Sequence, residues 1–476
     1  MSVERARSAD PGAIEQRQSR ASVVSQLVKL GWPVLVAQVA VMLYAVTDTI
    51  MAGHFGTDDL AAVGIGASIY ISVFVTTMGV LLALTPVAAQ LHGAGKDELI
   101  GEQVRQCAWL GALMSIIVIV ILQFPQPFFA LTQVAPEVEV KVRAYLRAIQ
   151  FGVPALLFFR VFGSFSNAIS RPRVVMVLNL AGLALKVPLN WVLIEGHLGL
   201  PALGGAGCAV ATTLCSWGTC IAAWLWCARV ADYRVFGVFA RWSWPDARSM
   251  RHLLAVGVPI GATFLVDVTA FTFMTLFVAR LGAQYSGAHQ IAANVAALAF
   301  MVPLSLGNAA TVLVGQAIGA RAFARARATG IQALFIALGV AVVFALALGL
   351  GREAIARFYS RDPVVQALAA SLLAYVAVYH LVDALQAVTV NVLRGYKRTV
   401  VPMVVYTVSL WGMGLGGGYV LGLTDRVDLH AVGLVTPLGA SGFWIAAILS
   451  VLCAGGIVTL YWLRESARVV RNPEWL

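Results

Sequence analysis

Four ionisable residues lie inside long apolar segments of the sequence: Asp48, Lys186, Asp267 and Asp383. A charged side chain at the centre of a bilayer costs about 2.5–3.5 kcal/mol on insertion scales, so each such residue needs a partner or a function. A buried carboxyl can bind a metal cation through its oxygens, or it can bind a proton, because burial favours the uncharged form. The chemistry that these residues predict is therefore reversible cation binding.

The C-terminal part of the chain supplies a possible set of oxygen ligands. Tyr379 and Asp383 are four residues apart and share one face of a helix. Hard cations such as Na+ require oxygen ligands, and two carboxylates with one phenol provide them. We predict that Asp267, Asp383 and Tyr379 form a cation-coupling site, with Asp267 and Asp383 as the ligands of Na+ or the acceptors of a proton. The alternative is that each carboxyl is hydrogen bonded to backbone in a tightly packed core.

The composition places these residues in a membrane. Only 12% of the 476 residues are charged and 60% are apolar, with a mean hydropathy of +0.84, whereas a soluble protein carries roughly 25% charged residues. Residues 331–350 and 443–460 are apolar along most of their length, and a long helix that is hydrophobic all round belongs in a bilayer. The six cysteines form no metal-binding pattern. We therefore expect an all-α integral membrane protein.

Hydropathy predicts twelve membrane-spanning helices. We place them at residues 26–52, 60–92, 104–124, 143–167, 174–195, 206–228, 253–280, 288–320, 331–351, 364–393, 400–423 and 440–463. If the N-terminus is cytoplasmic, most of the 33 Lys and Arg fall in cytoplasmic segments, as the positive-inside rule requires. Both termini are therefore predicted to be cytoplasmic, in a bacterial inner membrane. The net charge of +11 is spread over many short loops, a pattern typical of membrane orientation and not of nucleic-acid binding.

An internal repeat predicts two similar halves. At a constant spacing of 226 residues, Gly31 matches Gly257, Pro33 matches Pro259, Gln90 matches Gln316 and Gly93 matches Gly319. Parallel repeats of six helices form a binding site between two bundles and expose it alternately by rocking. The predicted fold is two six-helix bundles related by pseudo-two-fold symmetry around a central cleft. The predicted divisions are a polar N-terminus (1–25), an N-terminal bundle (26–228), a cytoplasmic linker (229–252), a C-terminal bundle (253–463) and a C-terminal tail (464–476).

Six sequence motifs carry a resemblance to a known family. They are Thr47–Gly53, Leu84–Leu91, Val187–Trp191, Leu203–Cys208, Ala288–Asn294 and Leu393–Lys397. Together they resemble the NorM-type branch of the multidrug and toxic compound extrusion (MATE) transporters, in consistent order from about residue 27 to 463. The resemblance implies an antiporter that exports organic cations in exchange for Na+ or H+. It also implies a cation site at Asp267, Tyr379 and Asp383, although relatives commonly have Glu at the position of Asp267.

The resemblance implies a second site in the N-terminal half. Asp48 occupies a position that relatives use for protons or cationic substrate, opposite two Asn on the fifth helix. Here Lys186 replaces the first of these and Asn190 is the second, four residues further along the same face. We predict that Lys186 forms an ion pair with Asp48, which protonation of Asp48 would break. The alternatives are that Lys186 extends to a membrane surface and that Asp48 is a solvated helix-end acid.

Four further polar residues have weaker predicted roles. Gln290 is a possible substrate contact by its motif position, and Asp362 either attracts cations or is an ordinary loop acid. His289 is expected to pack or to form a hydrogen bond, more than to carry protons. Arg160 is expected to reach the membrane interface with its head group.

Motifs for chemical catalysis are missing from the sequence. It has no GxxxxGK[ST] loop for ATP and no HExxH or GxSxG motif, so we predict a transporter and no enzyme, with no cofactor besides the coupling ion. The expected partners are cationic amphiphilic small molecules and the lipid bilayer, and a monomer is expected. The closest alternative is a flippase for a lipid-linked precursor, whose cavity would be basic. A membrane enzyme or a channel is a more distant alternative.

Overall fold

The computed structural model describes residues 11–132, 135–425, 437–472 and 474. Within these residues, twelve helices are long and apolar enough to cross a membrane. They are α1 (Val23–Phe55), α2 (Thr57–Gly93), α3 (Asp97–Gln123), α4 (Pro136–Ala168), α5 (Pro172–Glu195), α6 (Gly205–Arg229), α7 (Ala247–Ala279), α8 (Ala283–Gly319), α9 (Phe323–Tyr359), α10 (Pro363–Gly395), α11 (Val400–Leu423) and α12 (Ala440–Arg471). The predicted number of helices is confirmed. Parts of the predicted terminal segments 1–25 and 464–476 lie outside the described residues.

Several helices extend beyond the predicted spans. The ninth helix was predicted over 331–351 but runs from Phe323 to Tyr359, and the first continues a helix that begins at Pro11. About 20 apolar residues suffice to cross the hydrocarbon, so the hydropathy signal ends before the helix does. The added turns carry polar side chains toward their ends. Their backbone N–H and C=O groups are paired by the hydrogen bonds of the helix.

Three of the described spanning helices are irregular. In α4 a 3-10 turn, Gln150–Gly152, separates two α-helical segments. In α2 the α-helical segments end at Leu81 and restart at Leu84, and the Leu82 N–H bonds the Gly79 carbonyl 3.2 Å away. In α11 a π-helical segment, Val408–Gly416, follows directly on the first α-helical turns. Short π-helical segments in helices often occur at functional sites, and this nine-residue segment begins two residues after Tyr406.

The two bundles, α1–α6 and α7–α12, contact each other through repeat-related residues. A β-carbon on Gly257 of α7 would lie 2.2 Å from the Val80 carbonyl oxygen of α2. A β-carbon on Gly31 of α1 would lie 3.4 Å from the Leu306 side chain of α8. Gly31 matches Gly257 and Val80 matches Leu306 at the repeat spacing, so the two contacts are the same contact with the halves exchanged. This reciprocity is what a pseudo-two-fold axis between the bundles produces.

The matched glutamines form the same reciprocal pattern. Gln90 Nε2 in α2 donates to the Gly395 carbonyl of α10 at 2.8 Å, and Gln316 Nε2 in α8 donates to the Ala168 carbonyl of α4 at 2.8 Å. All four residues lie at the end of the molecule where α1 begins. These bonds therefore join the two bundles at the face of the chain termini.

The segment that connects the bundles packs against the N-terminal bundle. It contains a four-residue helix, Ala231–Arg234, whose Tyr233 is buried and shares a 2.7 Å hydrogen bond with Ser166 of α4. Arg105 of α3 donates to the carbonyl oxygen of Gly237 at 2.7 Å. The connection is thus held by specific hydrogen bonds along one bundle.

Candidate transport sites

The N-terminal bundle contains a buried polar cluster between α1, α5 and α6. Lys186 Nζ lies 2.9 Å from Asp48 Oδ2, and Asn190 Nδ2 donates to Asp48 Oδ1 at 2.8 Å. The Lys186 side chain is 0% exposed and that of Asp48 is 9% exposed. The predicted ion pair between Lys186 and Asp48 is present, so the alternative in which Lys186 extends to a surface is wrong.

The ammonium group of Lys186 has additional partners. It donates to the Thr212 hydroxyl of α6 and lies 5.0 Å from the centre of the Tyr44 ring. Thr212 and Tyr44 were not predicted, because an uncharged Thr or Tyr is common inside a membrane-spanning helix. A buried ion pair is stable only when further hydrogen bonds satisfy both groups. The cluster is overall neutral with both groups ionised, and a proton on Asp48 leaves the lysine without its counter-ion.

The C-terminal bundle places Asp267 against a residue that was not predicted. The Tyr406 hydroxyl of α11 donates to Asp267 Oδ1 of α7 at 2.8 Å. A tyrosine inside an apolar run needs a partner for its hydroxyl, and this signal could have singled out Tyr406 in the sequence, although it would not have identified the partner. The carboxylate of Asp267 is thus held from α11 and not by Tyr379.

Asp383 of α10 is buried, and no described residue forms a hydrogen bond with its carboxylate. Asp267 is close enough to act on it electrostatically. The Tyr379 ring packs edge-on against Phe271 and Trp444, at centroid distances of 6.3 and 5.7 Å. Of the three predicted residues, Asp267 and Asp383 therefore interact electrostatically with each other. Tyr379 contributes aromatic packing.

A small cavity joins this region to polar side chains of α10. It encloses about 40 Å³ and its lining includes Asp267, Tyr406, Gln386, Asn391 and Arg394. A site needs roughly 10–15 Å³ to hold one water molecule. The carboxylate, phenol and amide oxygens suit a hard cation. Among the described residues no three His, Cys, Asp or Glu side chains form a cluster, so a metal ion here would depend on the Asp267 carboxylate together with neutral phenol and amide oxygens.

A larger cavity lies between the bundles. It encloses about 200 Å³ and is lined from both halves of the chain, including Arg160 of α4 and Arg394 of α10. The described residues that line it include no carboxylate. The expectation that Arg160 reaches the membrane interface is therefore wrong, because its helix turns it toward the cavity between the bundles. The sequence carried one signal for this, because Ser164 and Asn167 lie four and seven residues after Arg160 and share its helix face.

The remaining predicted residues lie apart from these cavities. Gln290 is exposed and its Nε2 lies 3.3 Å from Asn294 Oδ1. Asp362 is the N-cap of α10, where Oδ1 accepts the Val364 N–H at 2.9 Å. His289 is buried, with Nε2 lying 3.2 Å from the Thr275 hydroxyl. The hydrogen-bonding role expected for His289 agrees with this geometry.

Twelve spanning helices in two symmetric bundles, with ionisable groups inside the spans and a cavity between the bundles, are the architecture of a membrane transporter. The family model MatE matches residues 33–192 and 259–420, one segment in each bundle. The chain is 38% identical over 459 residues to the probable multidrug resistance protein NorM of Aromatoleum aromaticum, covering 96% of each protein. The chain belongs to the MatE family and is a multi-pass inner-membrane protein.

Two further comparisons agree. The chain is 37% identical over 454 residues to the multidrug resistance protein PmpM of Pseudomonas aeruginosa, covering 95% of this chain and 94% of that protein. Its fold matches the crystal structure of the Vibrio cholerae MATE transporter VcmN in the bent form with a TM-score of 0.83, at 19% identity and covering 95% and 98% of the two chains. The predicted fold class and family are confirmed.

Proposed function

We propose that the protein is a secondary active multidrug efflux antiporter that exports amphiphilic organic cations in exchange for Na+ or H+. Relatives at 37–38% identity are described as multidrug resistance proteins. The observation that carries the proposal is Asp383, a buried acid whose carboxylate forms no hydrogen bond with a described residue. Such a group is costly to keep ionised in a bilayer unless a cation occupies it.

Alternating access fits the contacts between the bundles. The hydrogen bonds of Gln90 and Gln316 hold the bundles together at the face of the chain termini. With that face in the cytoplasm, as the Lys and Arg distribution favours, the described conformation has its bundles joined on the cytoplasmic side. Rocking the bundles about this seam would then open the cytoplasmic side.

Exchange requires that ion and cargo favour opposite conformations. A coupling ion at Asp267 and Asp383 neutralises charge inside the C-terminal bundle, and a proton on Asp48 removes the counter-ion of Lys186 in the N-terminal bundle. Either event changes the electrostatic energy of a buried group. The size of that change depends on how the surrounding helices pack, so it differs between the two conformations. We propose that these changes drive the rocking motion that releases the drug.

Efflux of a cationic dye from proteoliposomes tests the proposal. A proton gradient alone, a sodium gradient alone and no gradient are compared for the native protein and for the double variant Asp267→Asn/Asp383→Asn. We expect one of the gradients to drive efflux and the double variant to lose that response, whereas Asp58→Asn, at an exposed acid, retains it. Gradient-driven efflux that survives in the double variant would contradict the proposed coupling site.

A flippase for a lipid-linked precursor is the second candidate function. The observation that favours it is the presence of Arg160 and Arg394 in the cavity between the bundles, with no carboxylate in the described lining. A basic cavity suits an anionic head group. Movement of a fluorescent lipid-linked phosphate across proteoliposomes, independent of any ion gradient, would support this candidate over the antiporter.

A further inference from the structure

A further cavity lies at the face of the chain termini, where the two bundles meet. It encloses about 620 Å³ and is lined by the start of α1, the turn between α4 and α5, one face of α8 and the start of α9. The charged side chains in its described lining are all basic: Lys29, Arg171, Arg173 and Arg325. We propose that this cavity binds the phosphate of an anionic phospholipid, held jointly by Arg173 of the N-terminal bundle and Arg325 of the C-terminal bundle.

Two of these arginines are available to bind an anion. Arg173 and Arg325 are exposed, and neither forms an ion pair or a hydrogen bond with a described residue. Arg171 is already engaged, because its Nη1 lies 2.5 Å from Asp232 Oδ2. Guanidinium groups bind phosphate through two parallel hydrogen bonds and keep their charge at any physiological pH. A phosphate between Arg173 and Arg325 would supply the counter-charge that the described protein residues do not.

The start of α5 adds backbone donors to the same cavity. Arg171 is the N-cap of this helix, and no side-chain hydrogen bond caps it. Pro172 follows, so the next N–H groups are those of Arg173 and Val174, which both line the cavity. The first N–H groups of a helix have no partner within it and favour an anion. The backbone therefore supports the charge preference that the arginines set.

The outer face of α5 favours a lipid over a soluble anion. Val177 and Leu180 follow Arg173 at spacings of four and seven residues, so the three share one helix face. The two apolar side chains are 56% and 41% exposed, in a helix long and apolar enough to cross the membrane. A phosphate at Arg173 would place its acyl chains along this exposed apolar face. Basic pockets between helices at a membrane surface bind anionic head groups in this way.

The internal repeat does not account for the two arginines. At the spacing of 226 residues, Arg173 corresponds to Thr399 and Arg325 corresponds to Leu99. The glutamines that join the bundles match each other at this spacing, whereas these charges lie on one side of the pseudo-two-fold axis only. The arginines are therefore not needed to form the contact between the bundles.

The cavity adjoins one of the hydrogen bonds between the bundles. Gln316 lines it, and Gln316 Nε2 donates to the Ala168 carbonyl at 2.8 Å. A phosphate shared by Arg173 and Arg325 would tie the bundles together beside this bond. Lipid binding here does not depend on the proposed antiport function, and its test requires no transport.

Native mass spectrometry of the purified full-length protein tests the head-group preference. The protein in detergent micelles receives equal amounts of phosphatidylglycerol and phosphatidylcholine, and the readout is the ratio of the two complexes that hold one lipid. We expect the native protein to favour phosphatidylglycerol, and Arg173→Gln/Arg325→Gln to reduce that preference about tenfold. Arg251→Gln, at an exposed arginine outside the cavity lining, should keep the native ratio. An unchanged ratio in the double glutamine variant overturns the proposal.

A lysine variant separates the role of the guanidinium groups from folding. Arg173→Lys/Arg325→Lys keeps both charges but loses the two-pronged geometry, so its preference should fall between those of the native protein and the glutamine variant. If the glutamine variant does not fold, as judged by size-exclusion chromatography, the lysine variant takes its place. A native ratio in the folded lysine variant would then overturn the proposal.

The single variants test whether one phosphate is shared. A shared phosphate predicts that Arg173→Gln and Arg325→Gln each lower the preference for the first bound lipid severalfold. If each arginine binds its own lipid, either single variant keeps the full preference for its first lipid, and the shared site is overturned.

Inorganic phosphate identifies the source of the anion. Sodium phosphate and sodium chloride are compared at equal ionic strength, so that screening of the exposed arginines is the same. We expect the phosphatidylglycerol preference to be the same in both salts. Loss of the preference in phosphate alone would indicate a site for a soluble anion and overturn the assignment to a lipid.

Discussion

Gly319 of α8 lies so close to the backbone of Gln90 in α2 that a β-carbon on Gly319 would come within 1.9 Å of the Gln90 carbonyl oxygen. The repeat reproduces the contact with the helices exchanged, because a β-carbon on Gly93 would lie 1.9 Å from the Gln316 carbonyl oxygen. The seam at the face of the chain termini therefore has no room for any side chain at either glycine.

We expect Gly319→Ala to open this seam. Overpacking costs about 1–3 kcal/mol, which would shift the conformational equilibrium toward separation of the bundles at that face. The measurement is labelling of Asn308→Cys, a cavity position, by a membrane-impermeant thiol reagent in inside-out vesicles, and the rate should rise about tenfold. Gly339→Ala is the matched control, because nothing lies within 4 Å of a β-carbon there. Equal labelling in both variants would contradict the role of the seam.

Replacing Lys186 should change how transport depends on pH. In Lys186→Asn the Asp48 carboxylate loses the ammonium 2.9 Å away and takes up a proton more readily, so the midpoint of the pH profile of efflux should move to higher pH. Breaking a buried pair from one side also costs about 3–5 kcal/mol of stability, and Asp48→Asn/Lys186→Asn should recover part of it. Lys96→Asn, at an exposed lysine, should leave the profile in place. A native profile in Lys186→Asn would refute a titrating Asp48.

Two tyrosines near the C-terminal acids offer a matched comparison. Tyr406→Phe removes the hydroxyl that donates to Asp267 at 2.8 Å, whereas Tyr379→Phe removes one with no hydrogen-bond partner among the described residues. A hydrogen bond to a charged group contributes about 1.5–3 kcal/mol. We therefore expect Tyr406→Phe to change the concentration of coupling ion at half-maximal efflux about tenfold or more, and Tyr379→Phe to change it far less. Equal effects would place the ion elsewhere.

The segment between the bundles should depend on Arg105 for its order. The Arg105 guanidinium bonds the carbonyl oxygens of Gly237 and Val238 at 2.7 and 2.9 Å. We expect Arg105→Ala to cost about 1–3 kcal/mol, seen as a lower Tm and faster tryptic cleavage within 229–246. Arg105 and Arg241 both pair with Glu102. The Arg241 side chain is 68% exposed, so Arg241→Ala should shift stability by under about 1 kcal/mol. If Arg241→Ala increased tryptic cleavage of the segment as much as Arg105→Ala, the order of the segment would not depend specifically on Arg105.

A neutral substitution can separate the N-cap role that Asp362 has in the structure from the predicted attraction of cations. Ser at this position keeps a side-chain oxygen for the Val364 N–H and removes the charge, and Ser caps helices about as well as Asp. We expect Asp362→Ser to retain dye efflux and Tm, while Asp362→Ala loses about 1 kcal/mol of stability. A large loss of efflux in the serine variant, at unchanged Tm, would instead support attraction of cations by Asp362.

Much of the fold was predictable because the bilayer imposes strong constraints. Helices must be long and apolar to cross it, so twelve spans were visible as hydropathy alone. The ends of α9 were misplaced because the polar turns outside the hydrocarbon leave no such signal. The buried acids were also visible, since an isolated charge such as Asp383 in an apolar run stands out against its neighbours.

The sequence by itself determined the class of protein, the two-fold repeat and the identity of the intramembrane charges. Each of these can be recognised from residue types and their spacing along the chain, without knowing which residues are in contact. It did not determine which groups meet. Asp267 bonds Tyr406 on another helix, and Arg160 points into the space between the bundles, because helix rotation and packing angle decide which face looks inward. In an all-apolar helix those two quantities depend on contacts between distant segments, and only the tertiary structure fixes them.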